Sequence, residues 1–533
     1  MSIFSKVAMP RPPSNTFDLS HDRKFSGRIG ELMPITLLEC VPGDKFSIKS
    51  TNLTRFAPLI TPIMHKAAVY CHFFFVPNRI LWSNWEDFIS GGEDGLSAPN
   101  FPLVDTSLTG LVPPSSLADY LGLPTSDGAT TGGDYSNTQI SAIPFAAYNK
   151  IYNDYYRDEN LITTQREDTL VDGTNPLLGV TDPIAKRAWQ HDYFTSALPF
   201  TQRGPEATIP LGGTAPISYQ NAPGYPTVVR DNADGSVINT VTFDSVAALQ
   251  TNSGGELFSQ LPSAKLLDWD NSADLVADLS GATASSINDL RRAFRLQEWL
   301  ERNARGGARY IEIIMAHFGV MSKDARLQRP EFLGGSQTPI TISEVLQTSN
   351  QAVTTNPSDQ TPQGNMAGHG VSVGSSDYVT YKCEEHGYIM GIMSVMPMTA
   401  YQQGVPKHWS KFDKFDYYWP SFANIGEQPI YNGELYHTNT PADDDAIFGY
   451  TPRYAEYKYI PSTVHGEFRT SLNFWHMGRI FGSAPALNQD FIECDYEEVK
   501  RVFAAPDEEH LYVYLHNEVK ANRLMPYYGT PTI

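Results

Sequence analysis

The chain lacks the features that are typical of secreted proteins, of membrane-inserted proteins and of proteins stabilised by bound metal. Its four cysteines lie far apart and form no CxxC pair, which argues against a zinc ribbon or a disulfide framework. The longest apolar stretches, residues 67–76 and 388–398, fall short of the roughly 20 residues that a membrane-spanning helix needs. No apolar segment of the signal-peptide type occurs in the first fifteen residues. We therefore expect a protein that folds in a reducing cytoplasm and does not insert into membranes.

Catalytic motifs are also missing. The sequence has no HExxH, no GxSxG and no GxxxxGK[ST] motif. Gly368, Gly370 and Gly374 approach a GxGxxG pattern, but their spacing is wrong and the surrounding segment is polar. Residues 231–235 lack the ligand spacing of a calcium loop, and the aspartates of residues 443–445 are typical of a solvated turn. The sequence thus predicts neither an enzyme nor a metal or cofactor site.

Charged residues are scarce, whereas aromatic residues are abundant. Only 18% of the chain is charged, compared with about a quarter in an average globular protein. The net charge is -20, so the chain as a whole repels phosphate backbones, and any contact with DNA needs local cationic patches. The 28 tyrosines and 27 phenylalanines are residue types favoured in the cores of protein interfaces. This composition suits a chain that hides much of its surface against neighbours.

Hydrophobic alternation predicts a mainly β protein. Residues 34–90 are predicted to form paired strands, and in residues 67–76 both faces of the strand are apolar, which predicts burial on two sides. Further strands are predicted at 378–383, 388–395, 466–474 and 511–515. Strands at both ends of the chain must pair across long insertions. This arrangement favours an antiparallel sandwich of the Greek-key or jelly-roll type.

The remaining segments are predicted to be an arm, insertions and helices around one sandwich domain that spans residues 1–533. The predicted insertions are surface loops at 91–142 and 333–376 and a large excursion at 204–285, with short strands at 227–230 and 236–243. Residues 1–33 are predicted to form an extended N-terminal arm, because the segment is polar, basic and rich in proline. Helices are predicted at 146–156 and 286–303, the second with a charged face of i,i+4 ion pairs.

A series of blocks in consistent order along nearly the whole chain resembles the major capsid proteins of microviruses, in particular the gokushovirus-like branch. The blocks include FDLSHDRK (17–24), PGDKF (42–46), PLITPIMH (58–65), HFFFVPNR (72–79), LPFTQRGP (198–205), ARGGARYIE (304–312), HFGV (317–320), DARLQRPEFLGG (324–335), QTS (347–349) and TPRYAEY (451–457). Each block is moderately specific, and together they form a strong resemblance.

The resemblance implies a viral coat protein with an eight-stranded antiparallel jelly roll and long loop insertions. In that family sixty copies close a T=1 icosahedral shell around circular single-stranded DNA. An internal scaffolding protein, a DNA-pilot protein and a host surface receptor are the partners that the resemblance implies. It also implies assembly in the bacterial cytoplasm and residence in the virion, with residues 204–285 as a surface protrusion used in host attachment.

Four cations of the N-terminal segment, Arg11, Arg23, Lys24 and Arg28, are candidates for contact with DNA phosphates. The alternative is that they pair with carboxylates of adjacent subunits. Single-stranded DNA binding would also use aromatic platforms, and the chain offers many.

Two other classes of protein remain open from composition and pattern. A carbohydrate-binding or glycan-degrading β-sandwich, such as a phage spike, would also be acidic and rich in aromatic residues. A soluble oxidoreductase or hydrolase with an unrecognised site would bind a small molecule in a saturable way. Closed particles of uniform size in electron micrographs would separate the coat-protein interpretation from both.

Overall fold

The computed structural model describes residues 13–528 apart from 94, 106–111, 126–137, 164, 176–182, 206, 208–216, 220–226, 232–236, 243–248, 252–256, 260–266, 270–274, 278–286, 308 and 349–363. The strands are β1 (Ser14–Asp18), β2 (His21–Gly27), β3 (Met33–Cys40), β4 (Lys45–Phe56), β5 (Ala67–Pro77), β6 (Leu103–Val104), β7 (Thr174–Asn175), β8 (Ile217–Tyr219), β9 (Thr227–Asp231), β10 (Val237–Thr242), β11 (Leu249–Thr251), β12 (Leu257–Ser259), β13 (Leu267–Trp269), β14 (Leu275–Ala277), β15 (Glu331–Pro339), β16 (Thr341–Leu346), β17 (Met366–Ser375), β18 (Val379–Lys382), β19 (Gly387–Pro397), β20 (Glu427–Tyr431), β21 (Ile447–Pro452) and β22 (Leu511–Leu524).

Among the described residues the helices are fewer than the strands, in agreement with a mainly β chain. They are α1 (Asn78–Leu81), α2 (Trp85–Ser90), α3 (Leu117–Leu121), α4 (Ile143–Ile151), α5 (Ile287–Gly306), α6 (Tyr310–Phe318), α7 (Asn432–Leu435), α8 (Pro441–Asp444), α9 (Gln489–Ile492) and α10 (Tyr496–Val499). A π-helical turn, Tyr152–Tyr156, continues α4, and short 3-10 turns occur between the C-terminal strands. Among the described residues, no helix combines the length and apolar character needed to cross a lipid bilayer.

Two antiparallel sheets form the larger of two compact units, which comprises residues 1–203 and 303–533. The seven-stranded sheet has the order β1-β22-β4-β17-β16, with β2 also paired to β22 and β18 to β4. The four-stranded sheet has the order β15-β5-β19-β3. The longest pairing joins β22 to β4, from Leu511 opposite Phe56 to Asn522 opposite Lys45. Strands from opposite ends of the chain therefore pair, and the predicted mainly β, antiparallel architecture is confirmed.

The inward side chains of the two sheets share one apolar core. In β4 every second residue is buried, including Phe46 and Ile48. These residues belong to the same cluster as Phe73 of β5, Ile389 of β19 and Leu515 of β22. Strict alternation fixes the register, because a shift by one residue would turn the apolar set towards solvent.

The inner strands β5 and β19 of the four-stranded sheet are buried on their second face as well, whereas the edge strand β15 leaves Phe332 48% exposed. Helix α4 and the π-helical turn lie over the inner strands, and the rings of Phe74 and Tyr155 meet with centroids 4.8 Å apart. The Tyr156 hydroxyl lies 2.7 Å from Nδ1 of His72, and the Tyr148 hydroxyl donates to the Leu32 carbonyl at 2.8 Å. The predicted double burial of residues 67–76 and the predicted helix near 146–156 are both confirmed.

The N-terminal segment differs from the predicted extended arm over residues 1–33. Residues 1–12 lie outside the described part, but β1 and β2 both pair with β22. The physical reason is alternation: the residues of β2 are alternately exposed and partly buried, and Phe25 packs against the core. Local sequence pattern does not reveal this pairing, because the partner strand lies almost 500 residues away.

Residues 333–376 were predicted to be a surface loop, and this prediction is wrong for the described residues. Strand β15 pairs with β5 over its length, and β17 pairs with both β16 and β4. The segment is rich in glycine because its neighbours approach too closely for a side chain. A Cβ at Gly368 would lie 2.2 Å from the Thr61 carbonyl oxygen, and one at Gly370 would lie 2.5 Å from Cδ2 of Phe56.

Two further predictions need correction. The surface loop predicted at 91–142 contains α3, whose Leu117 and Ala118 are fully buried in the core cluster. Its amino end is capped by the Ser116 hydroxyl, which accepts from the Asp119 amide. The strand predicted at 466–474 is replaced by two 3-10 turns, Gly466–Arg469 and Asn473–Trp475.

The second unit comprises Gly204–Arg302. It begins where the excursion at 204–285 was predicted to begin but extends into the helix predicted at 286–303. Strands β9 and β10 pair as a hairpin close to the predicted positions, and β13 joins β9. On α5, Arg295 and Arg302 both pair with Glu298, as expected for a solvated charged face.

Candidate functional site

The four predicted DNA-contact cations are not gathered at one surface. Arg11 lies outside the described residues. Arg23 points inward from β2, and its guanidinium donates to the carbonyls of Tyr120 at 2.6 Å and Pro34 at 3.4 Å. The Arg28 guanidinium lies over the Tyr496 ring at 4.5 Å. Arg23 and Arg28 therefore make contacts within the subunit, and the DNA-contact prediction for them remains without support.

Lys24 alone of the described three faces outward on a sheet. It alternates with Arg23 on β2, and its ammonium lies 5.5 Å from the centroid of the Tyr514 ring on the neighbouring strand. Tyr514 and Tyr512 are the outward residues of β22 that oppose the buried Leu511, Val513 and Leu515, as the alternation predicted. Lys24 thus belongs to a larger outward surface.

We call this surface the bare face: the outward side chains of the seven-stranded sheet. It consists of exposed or half-exposed residues, and no helix or strand of the described part of the chain packs over them. Its charged members are Asp18, Asp22, Lys24, Lys45, Lys49, Arg55, Lys382, Glu518 and Lys520. Six cations therefore stand against three carboxylates, on a chain whose net charge is -20.

The three carboxylates of the bare face are engaged by groups of the same face. Asp22 lies 2.6 Å from Nδ1 of His516, and this bond and the Tyr514 hydroxyl lower the pKa of Asp22. Bonds from Tyr378 and Lys520 lower the pKa of Glu518. The side chain and amide of Ser20 lower the pKa of Asp18. The bare face consequently presents cations that its own carboxylates do not neutralise.

A second exposed surface lies on the segment that follows β19. We call it the aromatic ridge, and it comprises the rings of Trp409, Phe412, Phe415, Tyr417, Tyr418 and Trp419. All six are exposed, and Phe412 is 90% exposed. Soluble monomers rarely show so dense a cluster of apolar side chains to water, so a surface of this kind marks a contact site.

Hydrogen bonds within the segment hold the backbone of the ridge. The Asp416 carboxylate accepts from the amides of Phe412 at 2.9 Å and Asp413 at 2.8 Å, and these bonds lower its pKa. The indole of Trp419 donates to the Lys414 carbonyl at 2.8 Å. The exposed rings are therefore presented by a fixed backbone, which reduces the entropy lost on contact.

Two lysines in and next to the ridge are turned inward and neutralised, whereas Lys414 is exposed and its ammonium lies 4.9 Å from the centroid of the Phe415 ring. Lys411 pairs with Glu456 at 2.9 Å, and its side chain is only 7% exposed. Burial acts to lower the pKa of Lys411, but the bonds to Glu456 and Tyr457 outweigh it, so the pKa is raised. Lys407 pairs with Glu434 at 3.0 Å. The outer surface of the ridge therefore combines the six exposed rings with the charged side chains of Asp413, Lys414 and Asp416.

Sequence reasoning missed the ridge and most of the bare face. A dense aromatic run without β alternation was the signal for the ridge. The cations of the bare face come from strands far apart in the chain, so only their pairing brings them together. Across the described residues, no cluster of three or more His, Cys, Asp and Glu side chains is arranged to hold a metal ion.

Comparison with known proteins gives a consistent result. A family model described as "Capsid protein (F protein)" matches residues 5–533. Capsid protein VP1 of Bdellovibrio phage phiMH2K is 36% identical over 540 residues, covering 99% of this chain and 97% of the relative. Capsid protein VP1 of Chlamydia phage 1 is 34% identical over 596 residues, with 99% and 97% coverage. Capsid protein VP1 of Spiroplasma virus 4 is 33% identical over 548 residues, with 97% and 95% coverage.

Proposed function

Because the chain belongs to the phage capsid protein (F protein) family, a family of structural proteins and not of enzymes, we propose that it is the major subunit of an icosahedral shell. In this proposal sixty copies close a T=1 shell around a circular single-stranded DNA genome. The sandwich is an eight-stranded jelly roll at its centre, elaborated by the additional strands of the two sheets. The protein assembles in the host cytoplasm and resides in the virion.

The observation that best supports assembly is the aromatic ridge. A closed shell needs heterologous contacts in which each copy offers a patch to a different patch on the next copy. Interface cores are enriched in tryptophan, tyrosine and phenylalanine and depleted in free charge. The ridge has the first property, since Trp409 is 69% and Phe412 is 90% exposed, and the nearby Lys407 and Lys411 are paired with carboxylates of the same subunit. We therefore assign the ridge to the contact between copies.

The remaining partners follow from the same proposal. An internal scaffolding protein and a DNA-pilot protein accompany assembly, and a host surface receptor is contacted from outside. Residues 204–285 supply that outer contact as a protrusion. Deleting them spares shell closure and abolishes attachment to the host cell, which a particle count and an adsorption assay measure. Failure of the deleted subunit to fold would contradict this role.

Electron microscopy and sedimentation of the purified chain test the assembly proposal. The unaltered chain is expected to form closed particles of uniform size. The double variant Trp409→Ser, Phe412→Ser removes two exposed rings and should leave folded subunits that do not close shells. Met64→Ser is a matched control, because Met64 is also exposed but lies outside the ridge.

Denaturant unfolding shows whether the double variant is still folded. The double variant should unfold at the same denaturant concentration as the original subunit, since neither ring contributes to the core. Shells at undiminished yield from the double variant would rule out the ridge as the contact. If the chain remained monomeric under all conditions, the proposal that it is a shell subunit would be wrong. The same holds if it formed no particles and instead bound or turned over a small substrate in a saturable way.

A further inference from the structure

The bare face carries cations whose arrangement needs an external anion. Lys45 and Lys382 are direct cross-strand partners in the pairing of β4 with β18, and both are exposed. Like charges directly opposite each other destabilise a sheet. Among the described residues, no carboxylate forms an ion pair with Lys24, Lys45, Arg55 or Lys382. A polyanion lying across the face would relieve this repulsion.

Aromatic rings lie beside two of these cations, Lys24 and Arg55. A shallow depression of about 390 Å³ lies on the face, lined by Lys24, Leu53, Arg55, Tyr512 and Tyr514 among others. Arg55 is the cross-strand partner of Tyr512, and Lys24 is the partner of Tyr514. Two exposed rings therefore flank one apolar floor, and each ring has a cation next to it.

We propose that the bare face binds single-stranded DNA, with phosphates on Lys24, Arg55, Lys45 and Lys382 and bases on the rings of Tyr512 and Tyr514. The inference rests on the proposed function, since it names the surface that contacts the enclosed genome. A cationic surface that follows the backbone, combined with rings on which bases stack, is the general solution for single-stranded nucleic acid.

Single-stranded DNA fits this face better than a second copy of the chain does. Another copy would need an acidic patch and a matching surface for the two rings at the same place, whereas a single strand carries phosphates and stacking bases together along its length. Duplex DNA would hide its base faces and leave the two tyrosines without partners. The recognition is independent of sequence, because every base offers an aromatic face.

The test measures binding of fluorescein-labelled oligodeoxythymidylate to the purified full-length subunit over a range of salt concentrations. Lys24→Ala with Arg55→Ala removes two cations and should reduce the slope of log affinity against log salt by about 1.4, since each phosphate contact contributes about 0.7 on a single strand. Tyr512→Leu with Tyr514→Leu should weaken binding about fivefold to more than a hundredfold for each ring, with the salt slope retained.

Matched controls alter the same residue types away from the face. Lys323→Ala with Lys458→Ala removes two exposed lysines, and Tyr310→Leu removes an exposed ring. Both controls should bind the oligonucleotide as the original chain does. All variants are first checked for unchanged denaturant unfolding, so that loss of binding is not loss of the fold.

Three outcomes would overturn the assignment. The first is that the original subunit does not bind the oligonucleotide. The second is that both face variants bind it with unchanged affinity and salt slope. Either result would exclude the face as a DNA site, while particle formation would still support the proposed shell subunit. Loss of closed particles by the face variants with undiminished oligonucleotide binding would identify the face as a contact between copies. Failure of the proposed function is recognised separately, by the absence of particles from the unaltered chain.

Discussion

The outer sides of the two sheets differ in what covers them. In the four-stranded sheet, α4 and the π-helical turn lie over β5, and Phe74 is 1% exposed beneath Tyr155. In the seven-stranded sheet the equivalent outward position on β22 is Tyr514, which is 37% exposed beside Lys24. The first sheet covers the outer side of its inner strands with its own helix, whereas the second presents a charged, aromatic surface. One sandwich thus separates the tasks of stability and recognition between its two outer sides.

The largest expected effect on the free energy of unfolding comes from replacing Phe74 and Tyr514, one at a time, by alanine. Phe74→Ala should lower the free energy of unfolding by about 3–5 kcal/mol, because it removes a buried ring and leaves a cavity. Tyr514→Ala should cost no more than about 1 kcal/mol, the usual value of a cross-strand pair. Urea unfolding of the isolated subunits measures both. Similar losses would mean that the two outer sides do not differ.

Acidification should also lower the free energy of unfolding, through His72 on β5 of the four-stranded sheet. Burial and the nearby Arg187 lower the pKa of His72 to about 4. The folded state therefore binds fewer protons than the unfolded state, so stability is retained above pH 6.5 and lost as the pH falls towards 4. The loss amounts to at most about 3 kcal/mol.

His72→Gln isolates this contribution, since glutamine does not titrate. Unfolding curves of the variant from pH 7 to pH 4.5 should fall less steeply than those of the original chain. His65, whose pKa burial also lowers to about 4, keeps a residual slope in both proteins. Parallel curves would show that His72 does not couple to stability.

A smaller effect tests the strand that was predicted to be a loop. Gly368→Ala forces a methyl group against the Thr61 carbonyl and should cost about 1–3 kcal/mol through displacement of β17. Gly482→Ala is the control, because a Cβ there meets nothing within 4 Å. Equal stability of the two variants in urea would indicate that residue 368 lies in an open loop after all.

Local pattern was sufficient to predict some elements and insufficient for others. The double burial of β5 was predictable because both of its faces are apolar, and the outward tyrosines of β22 followed from alternation. The loop prediction at 333–376 failed because glycine and serine are typical of loops, whereas here glycine lets β15 and β17 pack closely against their neighbours. Only tertiary contact reveals that requirement.

The candidate surfaces show the same division. Lys24 was identified from the sequence, but Arg55 lies on a strand that only the pairing brings near it, and Lys382 lies beside Lys45 at the other end of β4. Arg23 follows Asp22 and precedes Lys24, yet it points to the opposite side of the sheet. A polar, basic segment therefore indicates the presence of cations without indicating which of them face outward.

Lysine acylation followed by mass spectrometry tests most directly whether the bare face is kept for contact outside the subunit. Isolated subunits and DNA-filled particles would be labelled in parallel, with Lys323 and Lys458 as exposed lysines elsewhere. The account predicts that Lys24, Lys45 and Lys382 react in subunits and are protected in filled particles. Equal reactivity of these three lysines in both states would contradict it.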